Sequence, residues 1–171
     1  MTIKQFNGEW VCKEDRVLFR FNTHDDQEFS FWLTRFILRS LIQGADELVV
    51  KALERDHAPE VAQVMNTFQQ AAVTQGLNFG ETFQAAQQQP LGPLPLLVTG
   101  LLLNHDGESV SLRLDVDTGQ SVTVQMSASV LQVMLALLDK LQATAQWDVG
   151  LPISDDAAPE LATPVTSTLM H

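Results

Sequence analysis

Cysteine occurs once, at Cys12, which excludes an internal disulfide and a zinc site built from several thiolates. Basic residues are also scarce: 10 Lys and Arg stand against 21 Asp and Glu, a net charge of −11. That balance opposes binding to a polyanion or an anionic bilayer, so neither nucleic acid nor membrane is expected as a partner. Long apolar runs are missing as well. The windows 29–42, 94–103 and 130–141 are interrupted or too short for the roughly 18 residues of a membrane span. The first nine residues lack the apolar core of a signal peptide. With one reduced thiol, this predicts a cytoplasmic location.

The familiar catalytic motifs are absent too. There is no Gly-rich phosphate loop, Gly-x-Ser-x-Gly elbow, His-Glu-x-x-His pair or Cys-x-x-Cys pair. The reading is therefore no assigned catalytic residue, no cofactor and no metal, with a non-enzymatic role favoured over an enzymatic one. His24 with Asp25 and Asp26, Asp56 with His57, and His105 with Asp106 are residue types that could ligate a first-row metal if the fold brought them together. Helix caps and turns account for them more simply. Asp115–Gly119 resembles a calcium loop, but its twelfth position is Met126 where a bidentate Glu belongs, so it reads as a hairpin. Cys12 sits near Lys13 and Arg16 without a recognisable base, and reads as a small strand residue.

What is present is a chain of 171 residues, 45% hydrophobic, long enough for one substantial core. Residues 1–149 read as a single α+β domain. Residues 150–171, rich in Pro, Thr and acids, read as a disordered tail. Charge is uneven: residues 1–55 hold eight of the ten basic groups, and 56–171 hold two against twelve acids. Attraction between the two parts suits intramolecular packing or a head-to-tail assembly.

Two antiparallel β meanders are predicted. In the first, Asn7-Gly8 marks a hairpin between Ile3–Phe6 and Trp10–Cys12, and Val17, Phe19 and Phe21 alternate inward after a turn at Glu14-Asp15. The second covers 96–126, with strands at Leu96–Leu103, Ser109–Val116 and Ser121–Met126. A central helix is predicted from Glu28 past Leu41, weakened or kinked at Gly44, with Phe36 and Ile37 buried at the middle of its apolar arc. A further helix opens at Asp56–Glu60, with Val61, Val64, Met65, Phe68 and Ala72 as its apolar face. Residues 77–95 read as a connection with an edge strand near 79–84. A last helix follows a Ser127/Ser129 cap and ends near Trp147. No repeat of 20–50 residues is visible, and the halves match only as meander followed by helix.

On the predicted central helix, Trp32, Arg35 and Arg39 share one narrow stripe with Glu28, Gln43 and Asp46. Two Arg one turn apart repel, so the stripe needs a reason. Pairing with Glu28, Asp46, Asp115 or Asp139 would be structural. Clamping a carboxylate or phosphate, with Trp32 stacking, would be functional. Trp32, Arg35 and Arg39 are thus the candidate binding residues. The segment Glu28–Arg35 resembles uncharacterised bacterial proteins in which a Trp-Leu-Thr-Arg run opens the central helix, a likeness that implies no activity. The expectation is an interaction or accessory protein working through protein contacts or self-association. The alternative is a small anionic-ligand binder or enzyme with its pocket over the same three residues.

Overall fold

The computed structural model describes residues 1–54, 58–61, 64–65, 67, 82–106 and 109–147. Strands β1 (Ile3–Val11), β2 (Arg16–Thr23) and β3 (Glu28–Leu33) form one antiparallel meander, which runs straight into helix α1 (Arg35–Leu53). Strands β4 (Leu96–Asp106), β5 (Ser109–Val116) and β6 (Ser121–Ser127) form a second, which runs into helix α2 (Ala128–Thr144). The six strands make one mixed sheet in chain order, antiparallel throughout except where β3 meets β4 in parallel. The class is α+β, and both meanders are present.

Three local expectations fail for identifiable reasons. Asn7-Gly8 makes no hairpin: both residues lie inside β1, opposite Arg20 and Phe19. A Cβ at Gly8 would meet Leu141 and Leu137 of α2, so this glycine serves the close approach of a helix. The turn lies instead at residues 12–15, where Asp15 takes a left-handed φ of 48° and Cys12 is exposed, one residue beyond the strand.

The central helix, second, begins at Arg35 and not at Glu28. Residues 28–33 alternate as a strand, with Phe29, Phe31 and Leu33 buried. Positions i and i+4 share a face in both a strand and a helix, so Phe29 and Leu33 satisfy either pattern. The switch takes one residue: Thr34 has an extended backbone and its hydroxyl accepts from the Ile37 N–H. Moving the start resets the helix face. Ile37, Leu38, Leu41, Ala45 and Val49 point into the core, while Phe36, expected at its centre, is 75% exposed. Gly44 neither ends nor divides the helix.

The third concerns residues 58–67. Helical backbone occurs at 59–61, 64–65 and 67, yet Val61 and Val64 are exposed rather than buried. Phe68, Ala72, His57 and the segment beyond 147 lie outside the described residues. Residues 82–86 carry no strand; they form a strap held by side chains of the first meander. Asn22 donates to Gln84 O, the buried Glu28 accepts from Ala86 N–H, and the Arg20 guanidinium lies over the Phe83 ring.

The two halves correspond residue by residue. Adding 93 to the numbers of β2, β3 and α1 gives their counterparts in β5, β6 and α2; adding 95 relates β1 to β4. Val17, Phe19, Phe21, Phe29, Phe31 and Leu33 are buried, as are Val110, Leu112, Leu114, Val122, Val124 and Met126. Register shifts fall between Ile3 and Gln5, and between Val98 and Gly100. Both second turns close with matching bonds, Thr23 N–H to Gln27 O and Val116 N–H to Gln120 O, and with left-handed residues Asp26 and Gly119. Thr34 caps α1 as Ser127 caps α2. The parallel pairing of Trp32 with Leu97 is mirrored by that of Thr2 with Gln125.

That second parallel pair brings the ends of the sheet together, with the Gln125 N–H donating to Met1 O at 2.9 Å. Strands β1 and β6 also contact α2. Each helix packs on the first strand of the other meander, α1 on β4 and α2 on β1, and the helices touch each other. At the two crossings, large and small residues exchange places. Gly44 of α1 faces Leu103 of β4; at the counterpart positions Leu137 of α2 faces Gly8 of β1. One bulky and one absent side chain fill each crossing.

Candidate functional site

Resetting the start of α1 redistributes the three predicted binding residues. Trp32 lies on β3, half-buried, opposite Leu18 and Leu97. Arg35 and Arg39 lie on the outward face of α1, one turn apart. With Phe36, Ser40 and Gln43 they line a shallow surface depression, and Trp32 is not part of it. The residue the sequence reading missed is Phe36. Its signal was available: counted from Thr34 as cap, 36, 39, 40 and 43 fall on one helical face opposite 38, 41 and 45.

Arg35 has a structural task. Its Nη2 donates to the carbonyl of Trp147, just beyond α2. Trp147 is 3% exposed, its Nε1 donates to Asp15 Oδ1 at 2.8 Å and its N–H bonds to Gln142 O. One tryptophan thereby ties the end of α2 to the β1–β2 turn and, through Arg35, to the start of α1. Two of the expected acidic partners are engaged elsewhere. Glu28 binds the strap, and Asp115 pairs with Arg113 at 2.8 Å. Arg39 is exposed and makes no ion pair among the described residues. The first turn of α1 carries no acidic side chain, so the two guanidinium groups add to the positive helix end.

The counterpart positions on α2 carry no arginine and no aromatic residue. Positions 35, 36, 39, 40 and 43 of α1 correspond to Ala128, Ser129, Gln132, Val133 and Ala136. Leu38, Leu41 and Ala45 of α1 and their counterparts Leu131, Met134 and Leu138 of α2 are all buried, so the shared core does not demand a phenylalanine between two arginines at that place. Elsewhere, the residues weighed as ligands are spread apart: His24 is in the β2–β3 turn and His105 lies in β4 opposite Val110. Among the described residues no group of three or more His, Cys, Asp or Glu could hold a metal ion. No helix among them is long and apolar enough to cross a membrane. Asp115–Gly119 is the β5–β6 hairpin. Comparison with protein-family models, curated proteins and solved structures finds no match to the chain.

Proposed function

We propose that the protein is a non-enzymatic binding module whose α1 face docks an acidic protein segment carrying an apolar residue. The observation that carries this reading is Phe36, 75% exposed between Arg35 and Arg39 at a position where the other half of the molecule has Ser129. An exposed Phe forgoes about 1.5–3 kcal/mol of burial, a free energy open to a partner. Aromatic and Arg side chains are the usual anchors of protein interfaces. Arg35 is engaged by the Trp147 carbonyl, whereas Arg39 makes no ion pair among the described residues. One guanidinium on an open helix face suits a peptide carboxylate better than a small anion, which needs enclosure by several donors. Self-association is the special case in which another copy supplies the acidic segment.

The test is a photo-crosslinking amino acid at position 36, with position 129 as control, in living cells. A covalent adduct to a second polypeptide from 36, absent from 129 and lost with Arg39→Glu, is the expected result. Adducts of equal yield from both positions, or none from either, would refute the reading.

A further inference from the structure

We infer that the cleft between the carboxyl-terminal half of α1 and the inner face of β4 binds a small zwitterion with a flat apolar body, the class of the aromatic α-amino acids. The cleft shares no lining residue with the docking face. It holds about 450 Å³, within the roughly 300–1,000 Å³ usual for small-molecule sites. Comparing the halves shows why it is open. Leu101 and His105 line it; they lie opposite the buried Leu114 and Val110, and so share the inward face of the sheet. Their counterparts on β1 are Phe6 and Trp10, opposite Phe21 and Val17, packed against the core on the strand that contacts α2. Gly44 with Leu103 against Leu137 with Gly8 is an even exchange of volume. Two aromatic rings against Leu101 and His105 is not. The place that the Trp10 indole takes beside α2 is left open beside α1.

The charged groups of the cleft select the rest of the ligand. Glu47 and Lys51, both exposed, line it one turn apart on α1, together with the apolar side chains of Leu48 and Leu103. Opposite charges at that spacing are placed to pair with each other. Here they do not: the Glu47 carboxylate accepts from Gln43 Nε2 at 3.2 Å, and Lys51 makes no ion pair among the described residues. The counterpart positions on α2 are Lys140 and Thr144, which offer no such acid and base. A ligand with its ammonium and carboxylate on one carbon meets Glu47 and Lys51 together, while its ring lies against Leu101, Leu103 and His105. An aromatic acid without the amine leaves Glu47 opposing it. An aromatic amine without the carboxylate leaves Lys51 opposing it.

The experiment is calorimetric titration of the purified full chain with tryptophan as the probe. Indole-3-propionate lacks the amine, tryptamine lacks the carboxylate and glycine lacks the ring, and these three are the comparisons. Tryptophan should bind with a dissociation constant of about 1 mM or below, and each of the three about fivefold or more weakly, the equivalent of one surface pair. Lys51→Gln should remove the preference over tryptamine and keep that over indole-3-propionate; Glu47→Gln should do the reverse. His105→Trp places the residue of the first half in the cleft and should abolish binding without lowering the melting temperature. Glu47 and Lys51 are exposed, so their variants decide the matter even if Trp at position 105 prevents folding. No binding of tryptophan at about 10 mM, equal binding of tryptophan and either indole relative, or affinity indifferent to both charge variants would each overturn the inference. So would undiminished binding by a folded His105→Trp chain. Phe36 and Arg39 take no part in the cleft, so the docking reading stands or falls separately.

Discussion

The two halves make the same fold with different chemistry. The first fills its core with Phe19, Phe21, Phe29 and Phe31, the closest rings, Phe21 and Phe29, having centroids 5.2 Å apart. The second fills the same positions with Leu112, Leu114, Val122 and Val124. What both keep is inward alternation, a register shift near the start of the first strand, a left-handed residue in the second turn and a hydroxyl cap on the helix. Those shared features are what the architecture requires. Features held by one half alone, above all the Arg35–Phe36–Arg39 face, have some other origin. Comparing the halves thus does inside one molecule what a set of relatives would do.

The strongest way to break this comparison is in the core. Phe21→Ala should cost about 3–5 kcal/mol and its counterpart Leu114→Ala about 2–5 kcal/mol, read by urea denaturation. A mild effect at only one of them would show that the halves do not share one core. Next come the helix crossings. Gly44→Leu introduces in α1 the residue α2 carries and should overpack against Leu103, costing about 1–3 kcal/mol. Adding Leu103→Gly recreates the other crossing and should return part of that loss, seen as a favourable coupling in a double-mutant cycle. Purely additive effects would make the exchange coincidental.

The caps sharpen the equivalence on a smaller scale. Thr34→Ala and Ser127→Ala should each cost about 1 kcal/mol, and about the sum together. The smallest stability effect belongs to the candidate site. Phe36→Ser gives α1 the residue of its counterpart, and should shift stability by no more than about 0.5 kcal/mol, read by urea denaturation. A loss of several kcal/mol would place Phe36 in the core and dissolve the docking face.

The second meander was legible except at the end of β4, which continues through the expected turn to Asp106, because Val110, Leu112, Leu114 and Val116 alternate with polar residues between turn signals. The first was harder to read for two physical reasons. Asn7-Gly8 carries a local hairpin signal that is overridden by α2 descending on Gly8, a contact supplied from the far end of the chain. Residues 28–42 form an apolar stretch with no loop between strand and helix, so the period changes from 2 to 3.6 across Thr34 without punctuation. That hidden boundary displaced the candidate site: Arg35 and Arg39 were found, Trp32 was grouped with them, and Phe36 was assigned to the core. The correspondence of the halves was legible only as meander followed by helix, because at a spacing above 90 residues it preserves burial rather than residue identity.

The crossing of each helix onto the opposite meander also has a consequence for how the chain is born. Strand β1 leaves the ribosome well before Leu137, Leu141 and Gln125, which cover it and pair with its start. Until then the Phe-rich first meander holds an unpaired strand edge and a sheet face lacking α2, the kind of surface on which nascent chains aggregate. Neither half can finish its core alone. Synthesis of the chain past residue 141 is therefore the event that commits the molecule to its native state.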